Sequence, residues 1–319
     1  MGDPAGVGPE ICLKLLQNKD IAKICTPIIF GSFSVLTQAA TQCNLDKPEL
    51  VISGLSEADK PCVLDIGGID LNELTVGTVN AKSGHASYTY IEDAINAALS
   101  GQVSAVTTAP INKEALHAAG INFPGHTEIF ASKTHAERVC MFQYSSEVRA
   151  VFVTTHVSYA EVPSLITKAN ILNTIELGAQ AMERIKGNKP KIVVLGLNPH
   201  AGENGLFGME EQSTIIPAIE AAKKIGLNVE GPVSPDTAFL PTKRQETDLF
   251  VCMYHDQGQI ALKLMGFDKG VTVQGGLPVP ITTPAHGTAF DIAGKNEANL
   301  APTLNSFKIA LTMAENKNN

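Results

Sequence analysis

The chain has 319 residues, with 24 Lys and Arg against 32 Asp and Glu and a formal net charge of −8. Hydrophobic residues make up 44% and charged residues 18%, which excludes a disordered or low-complexity chain. The acidic balance and the lack of a long Lys/Arg run exclude a bulk nucleic-acid footprint, and no apolar run reaches the ~18 to 20 residues that span a bilayer. No charged and then apolar segment opens the chain, so no secretory signal is expected. Cys residues at 12, 25, 43, 62, 140 and 252 are scattered without a C-x-x-C pair, as in a reducing compartment. A cytoplasmic enzyme or binding protein for a small molecule is expected, with no nucleic-acid or membrane partner.

In chain order, GDPAGVGPE (2–10) is a Gly-rich turn feeding a helix over 9–17, with Pro9 in its first turn. Such a turn usually receives a strand; either one precedes it here or the turn is supported otherwise. It is neither G-x-G-x-x-G after a strand nor a Walker A sequence, so neither phosphate fingerprint is assigned. Strands are predicted at IIFG (28–31), VSAVTTA (103–109), VRAVFVTT (148–155), KIVVLGL (191–197) and DLFVCMY (248–254). Their β-branched, continuously apolar character suits strands covered on both faces. Helical patterns lie at 88–99, 112–119, 165–186, 210–225 and 303–315, three of them closing on Gly120, Gly187 and Gly226. The 88–99 stripe is Tyr88, Ile91, Ile95 and Leu99. This alternation predicts an α/β protein with mostly parallel strands, and the length fits two domains of ~150 residues. The Gly-, Pro- and Thr-rich stretch 270–294 has no helical period and reads as a functional loop region, or as a surface loop with a short hairpin.

Three histidines follow three of the predicted strands: His156 after VRAVFVTT, His200 after KIVVLGLNP and His255 after DLFVCMY. Ligands of open α/β sheets bind at the carboxyl ends of the strands. Three neutral imidazoles suffice to hold Zn²⁺ or a similar divalent ion with positions left for substrate. The alternative is three separate loop histidines bonded to backbone. Asp256 adjoins His255, Glu203 lies three residues after His200 and Asp236 lies in GPVSPDTAF, either as acceptors for the second ring nitrogen or as ordinary caps. His126 and Thr127 in GHTE open a predicted short helix, suiting an anion at its N-terminus or a simple N-cap. Lys263, eight residues after His255, reaches the same place if its helix starts at the metal; otherwise it is a solvated Lys. G-x-S-x-G and H-E-x-x-H are absent, which argues against serine hydrolases and zincins.

Assembled in order, GDPAGVGPE (2–10), TTAPINK (107–113), GHTEIFA (125–131), TTHV (154–157), LNPHAGENGLFGMEE (197–211), GPVSPDTAF (231–239), YHDQGQIALKLMGF (254–267) and HGTAFDIAGK (286–295) resemble the 4-hydroxythreonine-4-phosphate dehydrogenase family from end to end. The resemblance implies a two-domain α/β/α fold like that of isocitrate and isopropylmalate dehydrogenases, with a cleft between the domains. It implies lobes at 1–125 plus 265–319 and at 126–264. It implies a homodimer whose active sites take residues from both subunits, with the metal (Zn, Mg or Co) on His156, His200 and His255. His126, Thr127 and Lys263 match substrate contacts. His286, Asp291 and Asn299 match the residues near the adenosine of NAD, and an acid on the ribose favours NAD over NADP. Asp236, Asp256 or Lys263 would serve as base in oxidising a small hydroxy acid to a β-keto acid that decarboxylates. Two positions depart from the family pattern: Thr272 stands where Asn is expected, and Ile281 where Arg is expected. Ile cannot give the bidentate recognition of phosphate or carboxylate that Arg gives. Phosphorylated threonate or erythronate and cis-dihydrodiol carboxylates are therefore alternative substrates within the family. An idle metal- or metabolite-binding protein, or an enzyme like the phosphate acetyl- and butyryltransferases, are rivals of other classes.

Overall fold

The computed structural model of the chain describes residues 1–123, 125–266 and 270–316. Two compact units form, Met1–Ala136 with Pro278–Leu311, and Glu137–Leu277 with the segment from Thr312. The first unit opens with α1 (Gly8–Leu16), α2 (Lys19–Ala22), β1 (Ile28–Gly31), α3 (Phe33–Cys43), β2 (Val51–Ile52) and β3 (Cys62–Asp65). It continues with α4 (Ala81–Leu99), β4 (Val106–Thr107), α5 (Lys113–Ala118) and α6 (His126–Thr134). The second unit holds β5 (Cys140–Tyr144), β6 (Arg149–Phe152), α7 (Val162–Leu165), α8 (Lys168–Lys186) and β7 (Lys191–Leu195). After these come α9 (Ile216–Lys224), β8 (Asn228–Val233), α10 (Pro241–Glu246), β9 (Leu249–Cys252), α11 (His255–Gly266) and β10 (Val271–Gly275). The chain then supplies β11 (Ile281–Pro284) and α12 (Ala301–Glu315).

Local chemistry accounts for the element ends. Asn80 accepts from the Lys82 amide to start α4, and Thr167 accepts from the Asn170 amide to start α8. Gly187 ends α8 in the left-handed conformation. Helix α4 begins earlier than its apolar stripe suggested, and its buried face runs through Tyr90, Ile91, Ala94 and Ile95, with Leu99 exposed. The GDPAGVG turn is supported by backbone: Asp3 N–H donates to Pro110 O at 2.9 Å, and Val7 N–H donates to Thr288 O at 3.0 Å. Around it, Leu13, Ile21, Val35, Leu36, Val63 and Tyr90 form a core of the first unit.

In the first unit β1, β3 and β2 pair in parallel, as do β4 and β11. In the second unit the strands run β10-β5-β6-β9-β7-β8. The pairs β6–β9, β9–β7 and β7–β8 are parallel, as expected, whereas β10–β5 and β5–β6 are antiparallel. The sheet is therefore mixed. Val148, Ala150, Phe152, Val193, Leu195, Phe250, Cys252 and Leu262 pack as its core. The stretch 270–294 is more ordered than its composition suggests, since it supplies both β10 and β11. The unit boundaries fall later than the expected 125/126 and 264/265. The reason is local: α6 packs on α4, which keeps His126 and Thr127 in the first unit, and β10 pairs with β5, which keeps it in the second. All six cysteines are free, and among the described residues no helix is long and apolar enough to cross a membrane.

Candidate active site

Strands β6, β9 and β7 are parallel neighbours, so the segments leaving their carboxyl ends emerge at one edge of the sheet. His156, His255 and His200 are carried by those three segments. The rings of His156 and His255 lie with centroids 5.6 Å apart and planes inclined at 44°. His255 is the first residue of α11, and its Nδ1 lies 2.6 Å from Asp256 Oδ1. A carboxylate at Nδ1 holds the proton there and leaves Nε2 as the free lone pair, the arrangement found behind metal-bound imidazoles. Gln257 anchors this helix start: its Oε1 accepts from Met253 N–H at 2.6 Å, and its Nε2 donates to Gly196 O at 2.8 Å. Gly258 is required by contact, because a Cβ there would sit 2.7 Å from Cys252 Sγ and 2.8 Å from Phe152.

His200 is presented differently. Residues His200, Ala201, Gly202, Glu203 and Asn204 all have positive φ, at 52°, 51°, 79°, 41° and 56°. Left-handed backbone costs a non-Gly residue roughly 1–2 kcal/mol. The turn persists because buried Glu211 organises it. Its Oε1 accepts from Leu197 N–H and Asn198 N–H, each at 2.8 Å, and its Oε2 accepts from Asn198 Nδ2 at 2.9 Å. Gly202 lies so close that a Cβ would fall 2.6 Å from Glu211 Oε2.

Two of the candidate bases flank these rings. The Ser234 hydroxyl, then the charge of His200, hold Asp236 below the usual carboxylate range. Asp256 is held low by the Tyr159 hydroxyl, which donates to its Oδ2 at 2.6 Å, and then by His255. Lys263 lies exposed two turns along α11, and its charge acts on Asp256. Imidazole nitrogens with carboxylate partners suit a borderline divalent ion. Within one chain the structure brings His156 and His255 together and sets His200 beside Asp236. Among the described residues of that chain no group of three His, Cys, Asp or Glu is arranged to hold a metal ion.

The other candidates belong to the first unit. His126 is the first residue of α6, whose N-cap is Gly125 without a side-chain bond, so the simple side-chain N-cap does not form. Burial, opposed by a hydrogen bond to Ala109, and then the charge of Lys113 bring the His126 ring down to about 4. Its Nε2 is buried without a partner. Thr127 follows it in the first turn. His286 donates from Nδ1 to Gly287 O at 3.0 Å, which leaves Nε2 an acceptor, buried and unpartnered. Asp291 is exposed, and Asn299 accepts from Ala301 N–H at 2.9 Å, capping α12. An orphaned acceptor and an exposed carboxylate five residues apart in sequence suit the hydroxyls and amide of a dinucleotide. Thr272 takes a hydrogen bond from Gln143 Nε2 at 2.9 Å, and Ile281 is fully buried in β11.

Sequence reasoning did not single out Asp3, Lys113 or Glu211. Asp3 is fully buried; burial raises its carboxyl to about 6 although Ala5 N–H donates to Oδ1, and Oδ2 has no partner. The only signal for these residues was their place inside GDPAGVGPE, TTAPINK and the MEE end of the 197–211 segment. Asp3 and His126 pull stability in opposite directions with pH. The folded chain binds Asp3's proton more tightly than the unfolded chain, so that contribution falls as pH rises through about 6. The folded chain binds His126's proton less tightly, so that contribution grows as pH rises from about 4 toward the ordinary histidine value. Asp3→Asn is therefore expected to gain stability relative to the parent chain as pH rises toward about 6. Urea midpoints measured across that range check this, and parallel curves for the two proteins refute it.

A parallel sheet edge carrying three histidines in the second unit, and orphaned buried acceptors in the first, are parts suited to oxidation of a hydroxyl, and the relatives agree. A protein of Oceanobacillus iheyensis named putative D-threonate 4-phosphate dehydrogenase is 40% identical over 99% of this chain and 97% of its own. A 4-hydroxythreonine-4-phosphate dehydrogenase of Trichlorobacter lovleyi is 40% identical over 98% of this chain and 96% of its own. The crystal structure of 4-hydroxythreonine-4-phosphate dehydrogenase from Klebsiella pneumoniae superposes with a TM-score of 0.89 at 38% identity, covering 98% of this chain and 96% of that one. The chain is an oxidoreductase of the dehydrogenase class. The model of the pyridoxal phosphate biosynthetic protein PdxA matches residues 23–310, and the chain belongs to that family.

Proposed function

We propose that the chain is an NAD-dependent, divalent-metal-dependent dehydrogenase of a four-carbon hydroxy acid 4-phosphate, with decarboxylation of the β-keto acid it forms. The observation that carries this reading is the trio of histidines following adjacent parallel strands, with two of the rings 5.6 Å apart. The first substrate reading is 4-hydroxythreonine 4-phosphate. D-Threonate 4-phosphate, which carries a hydroxyl in place of the amine at C2, is a second. It is supported by the relatives named putative D-threonate 4-phosphate dehydrogenase, one of them 40% identical over 99% of this chain.

His156, His200 and His255 would hold the metal, and when bound it supplies Lewis acidity that lowers the pKa of the substrate hydroxyl. Asp256 fixes the His255 tautomer. Asp236, beside His200, would accept the hydroxyl proton, and a bound nicotinamide would supply the acceptor for the hydride from C3. Loss of CO₂ from the β-keto acid passes its electron pair into the C3 carbonyl, and the Lys263 cation stabilises the developing negative charge. A proton then returns to C2. Lys113 would hold the phosphate together with His126, whose buried Nε2 lacks a proton in the free chain and would take one as the phosphate binds, and His286 and Asp291 would hold the adenosine side of NAD.

A second copy of the chain completes the ligand set, as a homodimer. Leu206 (73% exposed) and Phe207 beside the His200 turn, with Leu264 (82% exposed) and Ile260 one turn apart on α11, are apolar surface suited to it. The test is NADH formation from both phosphates, from 4-phosphoerythronate and from a cis-dihydrodiol carboxylate, each with Zn²⁺, Mg²⁺ or Co²⁺. Turnover of one of the first two is expected. No NADH from either of these phosphates with any metal overturns the reading.

A further inference from the structure

The Gly2–Glu10 motif matches neither phosphate fingerprint, and helix α1, which it opens, shows another use. Glu10 is buried in α1, and its Oε1 accepts from Ala298 N–H at 2.7 Å and from Lys14 Nζ at 2.9 Å. Lys14 Nζ also donates to Ala298 O at 2.9 Å and to Asn296 O at 3.4 Å. One ion pair thus grips both the amide and the carbonyl of Ala298. At the other end of the same segment, Val7 N–H donates to Thr288 O at 3.0 Å. Between these ties Val7 and Ile11 pack with Ala293 and Ala298.

The segment from Thr288 to Leu300 contains neither helix nor strand, so no regular ladder sets its shape. Beyond its own turns, in which Ile292 N–H donates to Ala289 O and Lys295 N–H to Ile292 O, each at 3.1 Å, it is tied to α1. Asn296 and Ala289 hold positive φ (62° and 44°), which a free loop would relax. The segment carries Asp291 and Asn299, with His286 just before it.

We infer that Glu10 and Lys14 are positioning residues for the adenosine end of a dinucleotide: through Asn296 and Ala298 they hold the 288–300 segment in the shape that presents Asp291 and Asn299. This rests on the reading of 286–299 as the cofactor segment. The pair touches no ligand itself, and its effect passes through the loop backbone.

The test is calorimetric binding of ADP-ribose, a probe without the nicotinamide ring, to the full chain and to Glu10→Gln, Lys14→Met and Lys14→Arg. Gln keeps an acceptor for Ala298 but removes the negative charge opposite Lys14; Met keeps the stem and removes all three Lys14 donations, to Glu10, Ala298 and Asn296. Lys14→Met is the milder change for folding because its side chain is part-exposed, so it remains informative if Glu10→Gln fails to fold. Glu10→Gln and Lys14→Met are expected to weaken ADP-ribose binding about tenfold or more, the worth of a charge-assisted bond. Lys14→Arg is expected to restore most of the affinity. In turnover, KM for NAD rises alone, while kcat and KM for the hydroxy acid stay within about twofold. Folded variants that bind ADP-ribose as tightly as the parent chain overturn the inference. A parent chain that binds no ADP-ribose instead overturns the cofactor reading, and the inference with it.

Discussion

His200→Ala is expected to lower turnover by on the order of a thousandfold, the scale lost when one group stabilising developing charge is removed. The fold should survive. The ring is exposed, and residue 201, next to it in the same left-handed turn, is already Ala with φ 51°. Exposed substitutions away from special contacts change stability by about 0.5 kcal/mol or less. A chain that melts like the parent, loses its bound divalent ion and stops making NADH gives the ring a chemical role rather than a structural one. Metal content per chain, read beside the melting curve, separates the two. Parent-like turnover by the variant is the result that sinks the metal assignment. His156→Ala is expected to behave in the same way, since its ring stands against that of His255.

Glu211→Ala is expected to do the opposite and act through stability. The carboxylate is buried and accepts from two backbone amides and one side-chain amide around Asn198. Removing it leaves the two backbone amides unpaired, at roughly 1–3 kcal/mol for each buried group, and leaves Asn198 Nδ2 with only its bond to Glu210 Oε2 at 2.7 Å. It also releases a turn in which four non-Gly residues hold left-handed backbone. A loss of roughly 3–5 kcal/mol is expected from urea unfolding, at the severe end for single substitutions. Glu211→Gln keeps the shape and one acceptor, so it should lose less. Both variants should lose metal affinity even where they remain folded, because His200 then has no single position. Parent-like stability in Glu211→Ala would show that the turn stands without its carboxylate.

Much of the site's frame was legible from sequence. Strands β6, β7 and β9 are short and largely apolar, the character expected of strands buried in a parallel sheet. Their histidines stood out because each follows such a run closely. Strands β5 and β10 escaped notice because Gln143 and Gln274 interrupt their apolar character, although both are buried in the sheet. Strand β8 hid behind Gly231 and Pro232, tolerated because it lies at the sheet's edge. Glu10 and Glu211 read in sequence as ordinary acidic residues of helix starts. Their partners, Ala298 for one and the Leu197–Asn198 backbone for the other, are set by tertiary structure, and no local pattern announces them. The antiparallel side of the second unit was equally invisible, since β5–β6 is a tight local pairing within a region that otherwise alternates strand and helix.

The order of strands in the second unit sets the timetable of its synthesis. Strands β5 and β6 lie side by side and adjoin in sequence, so they can zip together soon after leaving the ribosome. The outer edge of β5 is closed only by β10, which pairs Val271 with Tyr144, and the outer edge of β6 only by β9, which pairs Phe250 with Ala150. A growing polypeptide therefore carries a two-stranded ribbon with both margins bare until its last third emerges, and such ribbons attract one another. The parts of this enzyme most exposed to misassembly are the same strands that later frame its chemistry.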